Sequence, residues 1–162
     1  RRVLFRSASI MLHDMLRRIL RNMDLSENEI DESIYDAMLL SVDVAHALHP
    51  NKKEKMDITN KPVMGKGFCI KQACSQSYAT DAQAIAILCQ LCDEKGIPYQ
   101  RFVNRSDSRG GSTLGSIAGT LLPVKTVDIG IPILAMHSAC ELMGVRDMKA
   151  LSDCVTAFFG YH

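Results

Sequence analysis

Short apolar runs alternating with stretches of helical periodicity constrain this chain more than any other feature. Residues 37–44, 68–71, 99–103, 125–129 and 133–136 each have the length and apolar content of a buried strand. Between them lie helical patterns. Leu12, Leu16, Ile19 and Met23 form one stripe of a helix over residues 9–23, with Arg17, Arg18 and Arg21 on the opposite side. A second, short helix is expected over residues 29–35. Ala84, Ile87, Leu88 and Leu91 give the apolar face of a helix capped at Thr80-Asp81 and stopped by Lys95-Gly96. A small-residue helix follows over residues 113–121. The last helix, residues 146–159, carries Met148, Leu151, Val155, Phe158 and Phe159 as its stripe. Segments 51–67, with five lysines, and 104–113, polar with glycines, are loops. This order predicts an α/β fold, a three-layer sandwich with a mostly parallel sheet covered by helices on both faces.

Composition narrows the class. A chain of 162 residues that is 47% hydrophobic and 23% charged matches an ordinary soluble domain rather than a disordered or fibrous one. Lys plus Arg number 19 against 18 for Asp plus Glu, so there is no broad basic footprint, and neither nucleic acid nor an anionic membrane is an expected partner. The longest apolar stretch, residues 127–136, is broken by Asp128, Gly130 and Pro132 and is far short of the roughly 20 residues of a membrane helix. Six cysteines without a secretory signal are expected as reduced thiols, in the cytoplasm. The opening RRVLFRS is too short in its apolar part for a signal peptide, and residues 1–7 are expected to be a non-native leader foreign to the fold.

Three polar clusters interrupt the apolar pattern. In S-V-D-V-A-H-A-L-H-P-N (41–51), Asp43 falls at the end of a strand, the edge where open α/β sheets place their sites, and His46 and His49 follow at three-residue steps. The same residues also suit a capping Asp with two half-exposed histidines. In D-I-G-I-P-I-L-A-M-H-S (128–138), His137 ends a second apolar run; it reads either as a hydrogen-bonded core histidine or as a ligand. Asp43 and His137 on one sheet edge would offer the mixed carboxylate and imidazole set that zinc accepts. In R-S-D-S-R-G-G-S-T-L-G (105–115), the glycines before a helix suit either an anion site or a left-handed turn with a Ser or Thr cap. Cys89 and Cys92 sit within a helix beside Leu88 and Leu91 and read as packing.

These three segments and G-F-C-I-K (67–71), in this order, resemble the C-terminal part of the aspartyl aminopeptidase family of di-zinc exopeptidases, from about residue 8 to the end. The resemblance implies a phosphorylase/hydrolase-like zinc peptidase catalytic domain, here incomplete. It implies two zinc ions per complete subunit, with Asp43 and His137 as metal ligands. It assigns His46, Lys71 and Tyr78 to the pocket for the first residue of a peptide substrate. Lys71 alone would read as a solvated lysine at a strand end. The family's general base belongs to a Glu-Glu pair. No Glu-Glu occurs in this sequence, so the general base, a bridging Asp and a first His are expected upstream, and the chain alone is expected to be inactive. Family members remove N-terminal residues, acidic ones among them, and assemble as tetrahedral dodecamers, so peptide substrates and a homo-oligomer are expected. Cys140 stands where the family commonly has Arg, with Glu141 beside it as a candidate partner for His137. The rival expectation is a non-catalytic binding or assembly module that keeps the peptidase fold.

Overall fold

The computed structural model describes residues 10–79, 81–107 and 110–160. The expected leader at residues 1–7 lies outside them. Two helices open the described chain, α1 (Met11–Arg21) and α2 (Glu27–Asp36). A capping box starts α2 earlier than the apolar pattern suggests: Ser26 Oγ accepts from Glu29 N–H, and the Glu29 carboxylate accepts from Ser26 N–H at 2.8 Å. The α1 stripe does not pack as expected. Leu16 and Leu20 turn toward Ile30, Ile34 and Leu122, while Leu12, Ile19 and Met23 are exposed. Arg17, bonded to Glu27 and Asp31, and Arg21, bonded to Glu27, set the rotation of α1 on α2.

The sheet comprises β1 (Met38–His46), β2 (Phe68–Gln72), β3 (Tyr99–Val103), β4 (Lys125–Leu134) and the short β5 (Leu142–Met143). Its order is β1-β4-β2-β3, with β5 pairing the end of β4. Parallel ladders join β1 to β4 over nine residue pairs and β2 to β3 over five, while β2–β4 and β4–β5 are antiparallel over two pairs each. The pairing is therefore mostly parallel, in a sheet of mixed direction.

Helices α3 (Ala82–Lys95) and α5 (Val145–Phe159) cover one face, over Phe68, Ile70, Val127, Ile129 and Ile131. Asp81 caps α3, accepting from Ala84 N–H at 2.7 Å, and Gly96 ends it at φ 66°. Helix α4 (Leu114–Leu121) lies on the other face, its Gly115 against Ser41 and Asp128. The sandwich is thus three-layered. The inward side of α5 also differs from the expected stripe: Asp147, Ala150, Leu151 and Cys154 are buried, whereas Met148 and Phe159 are exposed. Asp147 is drawn inward because its carboxylate accepts the backbone N–H groups of Gly65 and Gly67, each at 2.7 Å.

The two apolar runs at 125–129 and 133–136 form one strand, β4, despite Gly130 and Pro132. Gly130 pairs with Asp43, and a Cβ there would stand 2.7 Å from the Val44 carbonyl carbon and 2.9 Å from Asp43 O, so only glycine lets β1 come this close. Pro132 is tolerated because of the side its nitrogen faces. The Ile133 carbonyl accepts from Ala47 on the β1 side, whereas Asp128 N–H donates to Ala79 on the other. Pro132 falls in the second set, beyond the last β2 pair at Gly130 and before the first β5 pair at Ile133, where no ladder needs a donor. Among the described residues, no helix is long and apolar enough to cross a membrane.

Candidate functional site

β1 and β2 alternate their side chains between the two faces. Phe68 and Ile70 enter the helix-covered core, so Cys69 and Lys71 point the other way, toward a second cluster with Ala45, Tyr78 and Phe102. Lys71 is only 2% exposed. A buried ammonium needs acceptors, and it finds two: Asp43 Oδ2 at 3.2 Å and the Val44 carbonyl at 3.0 Å. Its Nζ also lies 4.9 Å from the centre of the Tyr78 ring, a cation–π distance. The expectation of a solvated lysine is overturned by this burial.

Asp43 lies within β1, three residues before the strand ends at His46, and its carboxylate is half-exposed. Oδ1 accepts from Val44 N–H at 2.6 Å while Oδ2 faces Lys71. His137 reaches the same place by a turn after β4. Ala135 (φ 57°) and His137 (φ 69°) are both left-handed, and Ser138 N–H closes the turn onto the Ala135 carbonyl at 3.0 Å. Glu141 holds this turn through the backbone, accepting His137 N–H at 2.5 Å, and in this structure it is the main chain rather than the ring that it partners. Cys140 is exposed.

A cavity of about 210 Å³ is bounded by Asp43, His46, Lys71, Tyr78, Thr113 and His137. All five residues picked out by the resemblance therefore share one cavity, although they come from four separate stretches of chain. Burial, and then the neighbouring His137 and Lys71, lower the His46 pKa, which favours its neutral imidazole. Burial raises the Tyr78 hydroxyl pKa, with the Asn104 side chain partly opposing it. Phe102 backs both rings, 6.5 Å from His46 and 6.1 Å from Tyr78. A larger cavity of about 450 Å³ adjoins through His46, Tyr78 and Gly111, and Lys52, Lys55 and Arg105 stand around it with Asp57.

The polar 104–113 segment meets the turn expectation in part. Gly110 and Gly111 are not among the residues of positive φ, and Thr113 stands at the N-cap position of α4 without a side-chain cap hydrogen bond. Its hydroxyl donates instead to Asp128 Oδ2 at 2.6 Å. Asp128 is fully buried, and its carboxylate lies where a Cβ on Gly115, in the first turn of α4, would meet it. In the sequence Asp128 reads as an interruption of an apolar run and as the first residue of the D-I-G-I-P motif, with no role of its own. The available signal was a charged residue at the centre of a strand with apolar neighbours on both sides.

The chemistry of Asp43 and His137, one carboxylate and one imidazole, is that of zinc ligands, and each Asp43 oxygen keeps a free lone pair beyond its present hydrogen bond. Their number falls short of a shell. Among the described residues, no group of three or more His, Cys, Asp or Glu is placed to hold a metal ion.

Residues 7–159 match the model of the family described as aminopeptidase I zinc metalloprotease (M18). A probable M18 family aminopeptidase 2 from Clostridium novyi is 47% identical over 139 residues, which is 86% of this chain and 32% of that protein. The chain thus spans about a third of the length of the curated relatives it matches. Among solved structures, a chain of the Ape4 and Nbr1 complex superposes with a TM-score of 0.89 at 33% identity, covering 94% of this chain and 29% of that one. The S. cerevisiae mApe1 dodecamer superposes at 0.81 with 22% identity, covering 96% and 34%, a likeness of fold. A family match over nearly the whole sequence, with close relatives and a shared architecture, places this chain in the M18 family of aminopeptidase I zinc metalloproteases.

Proposed function

We propose that this chain carries the C-terminal part of the active site of a zinc-dependent aminopeptidase that releases N-terminal residues, acidic ones preferentially, from peptides. One observation carries the reading: Asp43, His46, Lys71, Tyr78 and His137, separated in sequence, line a single cavity at the open end of the β1–β4 ladder. Asp43 and His137 would each contribute one ligand, and the remaining ligands and the general-base Glu come from elsewhere in the full-length protein. Zinc, two ions per complete subunit, supplies a water of lowered pKa and a Lewis acid for the scissile carbonyl.

The chain's own residues bind and orient the substrate. The Lys71 ammonium has three N–H donors; Asp43 and Val44 take two, leaving the third for a carboxylate or carbonyl oxygen of the peptide. The neutral His46 ring and the protonated Tyr78 hydroxyl can each hydrogen-bond the first residue. Around the larger cavity Arg105 is paired with Asp107 and Lys52 stands 4.0 Å from Glu54, with Lys55 beside Asp57, so the acidic preference is supported by the remaining Lys71 donor rather than by a net basic field. The likeness to a dodecamer supports a homo-oligomer of tetrahedral form, and six unpaired thiols support a cytoplasmic location.

The test uses the full-length gene product. It should bind two zinc ions per chain, lose activity to a chelator, and cleave an aspartyl substrate faster than a leucyl one. Asp43→Ala and His137→Ala should each lose one zinc ion. A protein that binds no zinc and cleaves neither substrate would instead be a non-catalytic module on this fold.

A further inference from the structure

Among the described residues, two aspartates are completely buried, Asp128 on β4 and Asp147 on α5. Asp147 has an evident task, since its two oxygens hold Gly65 and Gly67. Among the described residues, Asp128 has no partner of opposite charge. Its Oδ2 accepts two hydrogen bonds, from Ala79 N–H at 2.5 Å and from the Thr113 hydroxyl at 2.6 Å, while its buried Oδ1 has none. Burying a carboxylate is costly, and an orphaned oxygen adds to the cost, so a strand that could carry any small residue here would not carry Asp for stability alone.

What the two hydrogen bonds join explains the position. Ala79 immediately follows Tyr78, and Thr113 ends the segment containing Gly111 and Ser112; Tyr78, Gly111, Ser112 and Thr113 all line the 210 Å³ cavity. Asp128 grips Ala79 twice, because its own N–H also donates to the Ala79 carbonyl at 3.3 Å. Thr113 N–H in turn donates to the Ser77 carbonyl at 3.3 Å, closing a ring of bonds between the two walls. The rigid β4 strand is thereby attached to two segments that have no regular structure of their own.

We propose that Asp128 is a positioning residue, a clamp that fixes Tyr78 and the Gly111–Thr113 wall relative to each other and so sets the dimensions of the substrate cavity. Its effect on catalysis rests on the peptidase reading above; the clamp itself does not. Oδ2 acts as a double acceptor, a task an amide oxygen can also perform. Position, not charge, is the property required.

The experiment compares Asp128→Ala, Asp128→Asn, Thr113→Val and Asp147→Ala in the full-length protein by two readouts. The first is KM and kcat on an aspartyl peptide substrate. Asp128→Ala and Thr113→Val should each raise KM by about tenfold or more, the effect of losing a hydrogen bond that holds the cavity wall, with kcat nearly unchanged. Asp128→Asn should restore KM to within about twofold of wild type. Asp147→Ala, a cut of equal burial away from the cavity, should lower the melting temperature and leave KM alone. The second readout is amide hydrogen exchange: in Asp128→Ala, the amides of Ala79 and Thr113 should exchange about tenfold faster while Val127 and Ile129 keep their protection. Unchanged exchange at Ala79 and Thr113 would overturn the clamp. So would an Asn variant as impaired as Ala, or a KM rise in Asp147→Ala equal to that in Asp128→Ala. If the wild-type protein cleaves no peptide, the peptidase reading fails while exchange still decides the clamp.

Discussion

Replacing Lys71 by Met separates two tasks that its burial combines, holding the fold and contacting the substrate. The ammonium side chain is 3% exposed and sits 3.2 Å from an Asp43 carboxylate that is 48% exposed. With an effective dielectric of about 20, two unit charges at this distance attract by about 5 kcal/mol. Removing an ammonium from water costs several kcal/mol, about what this attraction returns, so the terms nearly cancel, and solvent reaching the half-exposed Asp43 keeps its carboxylate hydrated once the ammonium is gone. Met keeps an unbranched stem that fills the same space beside Tyr78. The expected stability change is therefore about 1 kcal/mol, a shift of no more than about 4 °C in melting temperature. Catalysis should suffer far more. Losing a charge-assisted hydrogen bond to the substrate, worth about 1.5–3 kcal/mol, predicts a fall in kcat/KM of about 10- to 100-fold on an aspartyl 4-nitroanilide. Scanning calorimetry and steady-state kinetics on the full-length protein measure both. A loss of more than about 10 °C with unchanged kcat/KM would make Lys71 a strut, and the substrate role would be refuted.

Other perturbations test other parts of the fold. Gly67→Ala places a Cβ 2.1 Å from the Pro98 carbonyl at a φ of 100° and pulls Gly67 N–H from the buried Asp147, which should cost about 3–5 kcal/mol, measurable by chemical denaturation. Iodoacetamide at pH 8 should label the exposed Cys74 and Cys140 in the native protein and spare Cys69, whose thiol is pushed up to about 12 by burial and by Asp147; modification at Cys69 before unfolding would contradict its burial. Glu27 is held at about 2, below its ordinary 4.5, by hydrogen bonds from Arg21 and Arg17. Its contribution is thus fully present above pH 4.5 and is lost as pH falls toward 2, so the melting-temperature gap between wild type and Glu27→Gln should shrink over that window.

The alternation of strands and helices was legible from the sequence because each element announces itself by period and punctuation. β3 falls on residues 99–103 as the Ile97-Pro98 entry and apolar content suggest, and α3 runs between Asp81 and Gly96, the residues expected to bound it. Helix orientation was less legible, since an apolar stripe tells which residues tolerate burial and leaves open what is available to bury them. In α1, Leu16 and Leu20 meet α2, and Arg17 must reach Glu27 and Asp31, so Leu12 and Ile19 face outward. In α5 the bonds from Gly65 and Gly67 to Asp147 decide the rotation, and Met148 and Phe159 lose their place in the core. The site was legible only in part. Asp43, His46 and His137 stand in polar interruptions that spacing can find, whereas Lys71 and Tyr78 acquire their roles from burial, and their grouping was carried by the resemblance.

The motif D-I-G-I-P shows why hydropathy misreads such a site. Read as a line of residues, residues 127–136 are an apolar run broken three times. Divided by face, they obey period two without exception through the strand: Val127, Ile129, Ile131 and Ile133 all enter the helix-covered core. The alternate positions are then constrained one by one by what they meet on the other face. Asp128 must accept from Ala79 and Thr113, Gly130 must admit the Asp43–Val44 backbone, and Pro132 must stand where no neighbouring strand needs its N–H. Two of these three conditions bear directly on the cavity, because Gly130 brings Asp43 into line and Asp128 ties down the wall beside Tyr78. A substitution that improves the strand by propensity, such as Gly130→Val, would therefore be expected to push β1 away and move Asp43 from Lys71, losing activity at a position that contacts no substrate.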